Sequence, residues 1–362
     1  MSAPLDSAGQ WLRDRLPKHE RLAAVITPLL ENMLRKKEIE YLSVSYRVKT
    51  FDSAIEKIGR KGYDNPQEQL TDLSGIRVIT YLEEQVRQIS DLIKELFDVD
   101  DRNSLDRSAV LGDDRVGYRS THFVCCLGKK RHGLPEYDAL EDLSFEVQVR
   151  TVLQHAWAEL AHDRSFKFGS ALPVKLQRKL NLYSGMLEIV DTAFDDISKA
   201  IDSYRISLEN KSIEQISDVP IDSLSVERFV RQLPLNITID AELSPKAIDE
   251  LRHFGVAIID DLRRLATPEF LEEFSKAAWG DRTVTGAVRD LMMYNDLDKY
   301  LDGPRTWNVV GPETVDFMAS KYGKKRVLDA FERKGIRVAS SEESVQMKQR
   351  IRRRDPQSTS KK

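Results

Sequence analysis

The chain holds 362 residues, 41% hydrophobic and 32% charged, with 56 Lys/Arg against 59 Asp/Glu for a net charge of −3. That balance allows two or three packed domains and excludes both a disordered chain and a globally basic nucleic-acid binder. Charge breaks every apolar run well short of the ~18–20 residues of a membrane span, and residues 1–20 lack the apolar core of a signal peptide.

In chain order, residues 8–38 set Leu22, Val25, Ile26, Leu29, Leu30, Met33 and Leu34 at helical spacing. Residues 42–49 read as a strand, and a short helix follows from Asp52. LSGIRVITYL at 73–82 reads as a buried strand and 84–96 as an amphipathic helix. The adjacent Cys125 and Cys126 are the only cysteines, too few for a four-ligand zinc site, and a reducing cytoplasmic setting is expected. They sit in one of two further strands, 118–127 and 143–150, before a helix from Thr151 to about Arg164. Strands alternating with helices predict an α/β or α+β domain.

After Pro173 a long helix is expected. Leu180, Tyr183, Leu187, Val190, Phe194, Ile197, Ile201, Tyr204 and Leu208 step by three and four, an a/d register. The stripe either pairs subunits, giving a homo-oligomer through residues 180–208, or packs on the N-terminal helix or its own domain. The polar stretch 209–225 marks a boundary. Beyond it Ser244-Pro245 and Thr267-Pro268 are helix starts, and the rest reads as mostly helical. Four regions result: an N-terminal helical segment (1–40), a domain with a long C-terminal helix (41–212), a helical domain of unassigned role (226–346) and a tail (347–362). The tail carries seven Lys/Arg against one Asp, so the remainder has a net charge near −9.

The chemistry lies in 43–168. A basic cluster (Arg47, Lys49, Lys57, Arg60, Lys61) precedes Asp72-Leu-Ser-Gly-Ile-Arg77. GYRSTH at 117–122, FEVQVR at 145–150 and HAWAELAH at 155–162 follow. Magnesium takes one or two carboxylates plus substrate phosphates, and Asp72 and Glu146 can supply that pair if their strands are neighbours. Arg and Lys then neutralise phosphate charge during transfer, and Tyr118 can stack on a base. Each feature also has a plainer reading: Asp72 as a strand-entry cap, Glu146 as a solvent-facing residue beside Ser144 and Gln148. His155, Glu159 and His162 share one helix face; with no third His or Cys nearby, a structural face is preferred to a metal site. Gly112-xxxx-Gly117 is no P-loop, because Tyr118-Arg119 replaces Lys-Ser/Thr.

Together these motifs resemble the synthetase domain of the RelA/SpoT family, in order and spacing. They are Arg47-Val-Lys49 with Ser53-xxx-Lys57, DLSGIR at 72–77, GYRSTH, EVQVRT at 146–151 and HAWAELAH. The resemblance implies an α+β fold: a nucleotidyltransferase-like mixed β-sheet flanked by helices, followed here by the mostly helical C-terminal region. It implies transfer of pyrophosphate from ATP to a ribose 3′-hydroxyl, with release of AMP. Asp72 and Glu146 are then the Mg2+-binding catalytic carboxylates, Glu146 also the candidate base. Arg47, Lys49, Lys57 and Arg77 fall to the ATP phosphates, Ser53 to substrate binding, and Tyr118, His122 and Gln148 to the acceptor. Arg150 and Trp157 support the site.

Two departures qualify the resemblance. Only about forty residues precede the motifs, so no alarmone hydrolase activity is expected. The Pro-Lys-x-Asn run that usually precedes the Gly-Tyr is replaced by residues 106–116, with Asp113 and Asp114 and with Arg107 or Arg115 as possible compensation. Three functions therefore stand. The first is a pyrophosphokinase making (p)ppGpp from ATP and GDP or GTP. The second is a toxic relative that pyrophosphorylates the 3′ end of tRNA and blocks translation, with the C-terminal half as regulator, suggested by the altered run, Lys129-Lys-Arg131 and the basic tail. The third is an inactive nucleotide-binding regulator.

Overall fold

A strand whose side chains alternate buries one face and offers the other, and Phe145–Thr151 (FEVQVRT) alternates in this way: Phe145, Val147 and Val149 are buried while Glu146 and Gln148 are half-buried. The computed structural model describes residues 3–106, 120–166, 173–234, 243–277, 282–340, 342–344 and 346. The chain divides into two compact units, residues 1–200 and 201–362.

The first unit is built on a mixed sheet. Its strands are β1 (Ser43–Val48), β2 (Ser74–Thr80), β3 (Asp98–Val99), β4 (Leu105–Asp106), β5 (Thr121–Cys126) and β6 (Phe145–Thr151). The order is β1-β2-β6-β5-β3, with β4 also on β5. Only β2 and β6 run parallel among these pairs; the other pairings are antiparallel. The strands at 42–49, 73–82, 118–127 and 143–150 expected from sequence correspond to β1, β2, β5 and β6.

One face of the sheet carries Ile76, Val78, Phe123, Cys125, Phe145, Val147 and Val149. It packs against Leu22, Ile26, Leu30 and Leu34 of α1 (Ala3–Lys36) and Ile89, Leu92 and Ile93 of α4 (Glu83–Leu96). A second cluster joins Ala8 and Leu12 of α1 to Ala54 and Ile58 of α2 (Phe51–Lys61) and to Leu70 and Leu73, beside the short α3 (Pro66–Gln69). The helix α2 is defined at both ends: Thr50 accepts from the Ser53 amide, and Gly62 takes the left-handed conformation at φ 61°. The opposite face of the sheet has no apolar layer in these clusters. The helix α5 (Val152–Phe166) leaves the end of β6 directly.

Of the stripe on α6 (Val174–Glu209), Tyr204 and Leu208 pack in the core of residues 201–362, whereas its part in the first unit departs from the reading in which the stripe packs on the N-terminal helix or its own domain. Tyr183, Val190, Phe194, Ile197 and Ile201 are exposed, and its buried positions in the first unit are Ser184, Asp191 and Asp195. Thr151 Oγ1 donates to Asp191 Oδ2 at 2.7 Å. The Glu84 amide and Arg87 Nη2 reach Asp195 at 2.9 Å each. Polar contacts, not the apolar stripe, hold this helix on the sheet unit.

The second unit is helical with its own core, among it Phe229, Leu251, Phe270, Phe274, Met292, Phe317 and Phe331. The helix starts expected at Ser244-Pro245 and Thr267-Pro268 cap Pro245–Phe254 and Pro268–Lys276. Ile216 and Ile221, inside the polar stretch 209–225, are buried in this core. A two-residue parallel ribbon, Val309–Val310 with Arg337–Val338, has no counterpart in the sequence reading. Among the described residues no helix is long and apolar enough to cross a membrane.

Candidate active site

Register builds the site. The parallel pairing of β2 and β6 sets Gly75 opposite Glu146 and Arg77 opposite Gln148. The antiparallel pairing of β5 sets His122 opposite Gln148, and β1 places Arg47 beside Gly75. Because alternate residues share a face, Arg77, His122, Glu146, Gln148 and Arg150 stand together on the open side of the sheet.

Asp72 lies just ahead of β2. Its Oδ2 accepts from Lys57 Nζ at 2.6 Å and Lys49 Nζ at 2.8 Å, and Lys49 also reaches the Asp72 carbonyl at 3.1 Å. Burial alone would raise the Asp72 carboxyl, but the hydrogen bonds and charge of the two lysines outweigh it and hold the group below the usual range. Both cations sit on one oxygen. Asp72 Oδ1 is buried and has no hydrogen-bond partner among the described residues.

Glu146 is held on both oxygens. His122 Nδ1 lies 2.8 Å from Oε1, and Gln148 Nε2 donates to Oε2 at 2.6 Å. Behind them Arg150 Nη2 donates to Gln148 Oε1 at 2.8 Å and approaches His122 Nε2 at 3.4 Å, and Ser120 Oγ lies 2.9 Å from that same nitrogen. His122 thus links the Glu146 carboxylate at Nδ1 to Ser120 and Arg150 at Nε2. Burial again pushes the Glu146 carboxyl up, and the nearby Asp72 charge adds to that. The hydrogen bonds and charge of His122, with Gln148, prevail and keep it below its ordinary value.

The other expected residues take different places. Arg47 is exposed and makes no ion pair among the described residues. Ser53 is drawn into the start of α2, where its Oγ accepts from Thr50 Oγ1 at 2.9 Å. Arg77 Nη1 donates to Glu159 Oε1 at 3.0 Å, a partner 82 residues away that the sequence reading left on a structural helix face. Tyr118 and the altered run 107–116 lie outside the described residues, as does the basic tail. Arg131 of the basic Lys129-Lys-Arg131 segment turns inward, donating to the carbonyls of Leu96 and Leu127 and lying over the Phe97 ring.

A cleft of about 630 Å³ is lined by Ser120 and His122 at β5, Arg87, Ser90 and Lys94 of α4, and Gln154, among others. That is within the size range of small-molecule sites. Among the described residues no group of three or more His, Cys, Asp or Glu can hold a metal by itself. An ion sharing two carboxylates with substrate phosphates is a different arrangement, and the unpartnered Asp72 Oδ1 near a second ionised carboxylate is a hard-oxygen donor set that suits magnesium.

Residues 46–171 match the family model described as a region found in RelA / SpoT proteins. The chain is 25% identical over 160 residues to GTP pyrophosphokinase YwaC of Bacillus subtilis (strain 168), covering 43% of this chain and 73% of that protein. It is 23% identical over 170 residues to GTP pyrophosphokinase YjbM of the same organism, covering 46% and 77%. Among solved structures, small alarmone synthetase 1 from Bacillus subtilis aligns at 21% identity and TM-score 0.45, over 54% of this chain and 98% of its own. Its form bound to the product pppGpp gives 23% identity, a TM-score of 0.44, and 53% and 98%.

Proposed function

We propose that the RelA/SpoT-type synthetase domain of this chain is a magnesium-dependent pyrophosphokinase, transferring the β,γ-pyrophosphate of ATP to the ribose 3′-hydroxyl of GDP or GTP. The observation that carries the reading is the nearness of Asp72 and Glu146, whose charges act on one another, with Lys49 and Lys57 gathered on a single Asp72 oxygen. The relatives named above are GTP pyrophosphokinases, and the guanosine acceptor comes from them.

In this reading the ATP phosphates meet Lys49, Lys57, Arg47 and Arg77, and the acceptor occupies the cleft beside His122. Asp72 and Glu146 would hold magnesium, which when bound draws charge from the phosphate oxygens. The Glu146 carboxylate, kept ionised and oriented by His122 and Gln148, takes the proton of the 3′-hydroxyl. The ribose oxygen bonds to the β-phosphorus as the bond from that phosphorus to the bridging oxygen breaks, and the oxygen leaves on AMP. Lysine and arginine offset the charge that accumulates there.

The test offers GDP, GTP, ATP or deacylated tRNA to the full chain with Mg2+ and γ-labelled ATP, with Asp72→Asn as the blank. Label on guanosine nucleotide with equimolar AMP is expected. Label moving only to tRNA would establish the translation-blocking reading instead, and no label on any acceptor would leave a nucleotide-binding regulator. The same reading includes self-association through residues 180–208, supported by the exposed Phe194, Ile197 and Ile201. Light scattering should show a multimer that Phe194→Glu with Ile197→Glu reduces to the monomer mass; a wild-type monomer would remove this part.

A further inference from the structure

Arg77 is engaged before any nucleotide arrives. Its bond to Glu159 Oε1 joins β2 to α5, and both side chains remain open to solvent, at 36% and 58%. An ion pair so exposed is weakly held. A phosphate brings more charge and several acceptor oxygens to the same guanidinium and competes well for it.

Glu159 has a second cation within reach. His155 stands one helical turn back, and its Nδ1 lies 3.8 Å from the same Oε1, too far for a hydrogen bond. That nitrogen is buried and has no hydrogen-bond partner among the described residues. The charged groups acting on His155 are Arg77 from β2, Arg150 from β6 and Glu159 from its own helix. Burial, then Arg77, and also Arg150 lower its pKa, against Glu159, which raises it.

We propose that Glu159 stands in for a nucleotide phosphate on Arg77 and, when a phosphate takes that guanidinium, turns to His155, which then binds a proton from solvent at Nδ1. Two changes drive the uptake together. The phosphate cancels the Arg77 charge that repels an imidazolium, and the freed carboxylate moves its full charge to the ring. The inference rests on the reading that Arg77 meets the phosphates of ATP. It makes Glu159 a competitor of the substrate and His155 a positioning residue.

Calorimetric titration of the full chain with α,β-methylene ATP and Mg2+ tests it, run at about pH 6.5, where an ordinary imidazole titrates. Two buffers of different ionisation enthalpy report the protons bound. Wild type should take up more protons per nucleotide than either His155→Gln or Glu159→Gln, a difference in which the nucleotide's own titration cancels. Glu159→Gln should also bind the analogue roughly two- to fivefold more tightly, whereas adenosine should show neither effect. Equal proton uptake in all three proteins, or weaker binding by Glu159→Gln, would overturn the exchange while leaving the nucleotide site standing. Failure of the analogue to bind wild type would overturn the nucleotide reading beneath it.

Discussion

Each unit holds a carboxylate paired with cationic side chains, one arginine at Glu250 and two lysines at Asp72, and the two differ in how completely the carboxylate is used. Glu250 of the second unit is 4% exposed. Arg289 grips it with Nε on Oε2 at 2.8 Å and Nη2 on Oε1 at 2.7 Å, Tyr300 donates to Oε2 at 2.7 Å, and Trp307 Nε1 closes the set on the Tyr300 hydroxyl at 3.2 Å. Asp72 of the first unit has two lysines on one oxygen and, among the described residues, nothing on the other. An orphan atom alone does not mark a site: Asp290 also has Oδ1 without a partner, yet it is 0% exposed beside Arg282 and no ligand can reach it. The Asp72 side chain keeps 19% of its surface open. A buried polar atom without a partner costs about 1–3 kcal/mol, and at the partly open Asp72 the proposed magnesium ion would supply the partner that buried Oδ1 lacks.

Substitution should separate the two centres. Removing Glu250 leaves Arg289 and Tyr300 without their shared acceptor, so Glu250→Ala is expected to lose about 3–5 kcal/mol of stability with turnover per folded molecule unchanged. Asp72→Asn should do the reverse, lowering pyrophosphate transfer roughly 10²–10³-fold while costing the full chain much less stability than Glu250→Ala. If Asp72→Asn destabilises the chain as much as Glu250→Ala does, Asp72 is a structural group and the contrast between the units disappears.

The sheet was legible because alternation in FEVQVRT and SGIRVIT names both the buried and the open face, and because neighbouring β2 and β6 bring the charge of Asp72 to bear on Glu146. Register then added what spacing does not contain. His122 meets Glu146 across β5 and β6, and Glu159 meets Arg77 from 82 residues away. Strands of two residues, such as Asp98–Val99 and Val309–Val310, are too short to show a period. The helix α6 shows a further limit. Its apolar stripe is plain in the sequence, but periodicity names a face without saying what covers it, and here Asp191 and Asp195 on another face meet the sheet unit.

That inverted helix allows a last comparison between two carboxylates one turn apart. Burial pushes Asp191 up from 3.8 to about 6; the Thr151 hydrogen bond opposes this, and the charges of Glu83 and Asp195 add to it. Asp195 is also raised by burial, but the Glu84 amide, Lys199 and Arg87 hold it below its ordinary value. The signs of the linkage are therefore opposite. Between about pH 4 and 6 folding binds a proton at Asp191, so this residue's contribution improves as pH falls from 7 toward 4. Asp195 stabilises above its unfolded value and loses that contribution as pH falls through its folded one. Asp191→Asn should raise the melting temperature at pH 7 by about 2–4 °C and flatten its dependence between pH 5 and 7, whereas Asp195→Asn should lower it at pH 7. A loss of stability from Asp191→Asn that is the same at pH 5 and pH 7 would mean that Thr151 needs a carboxylate oxygen at that position whatever its charge.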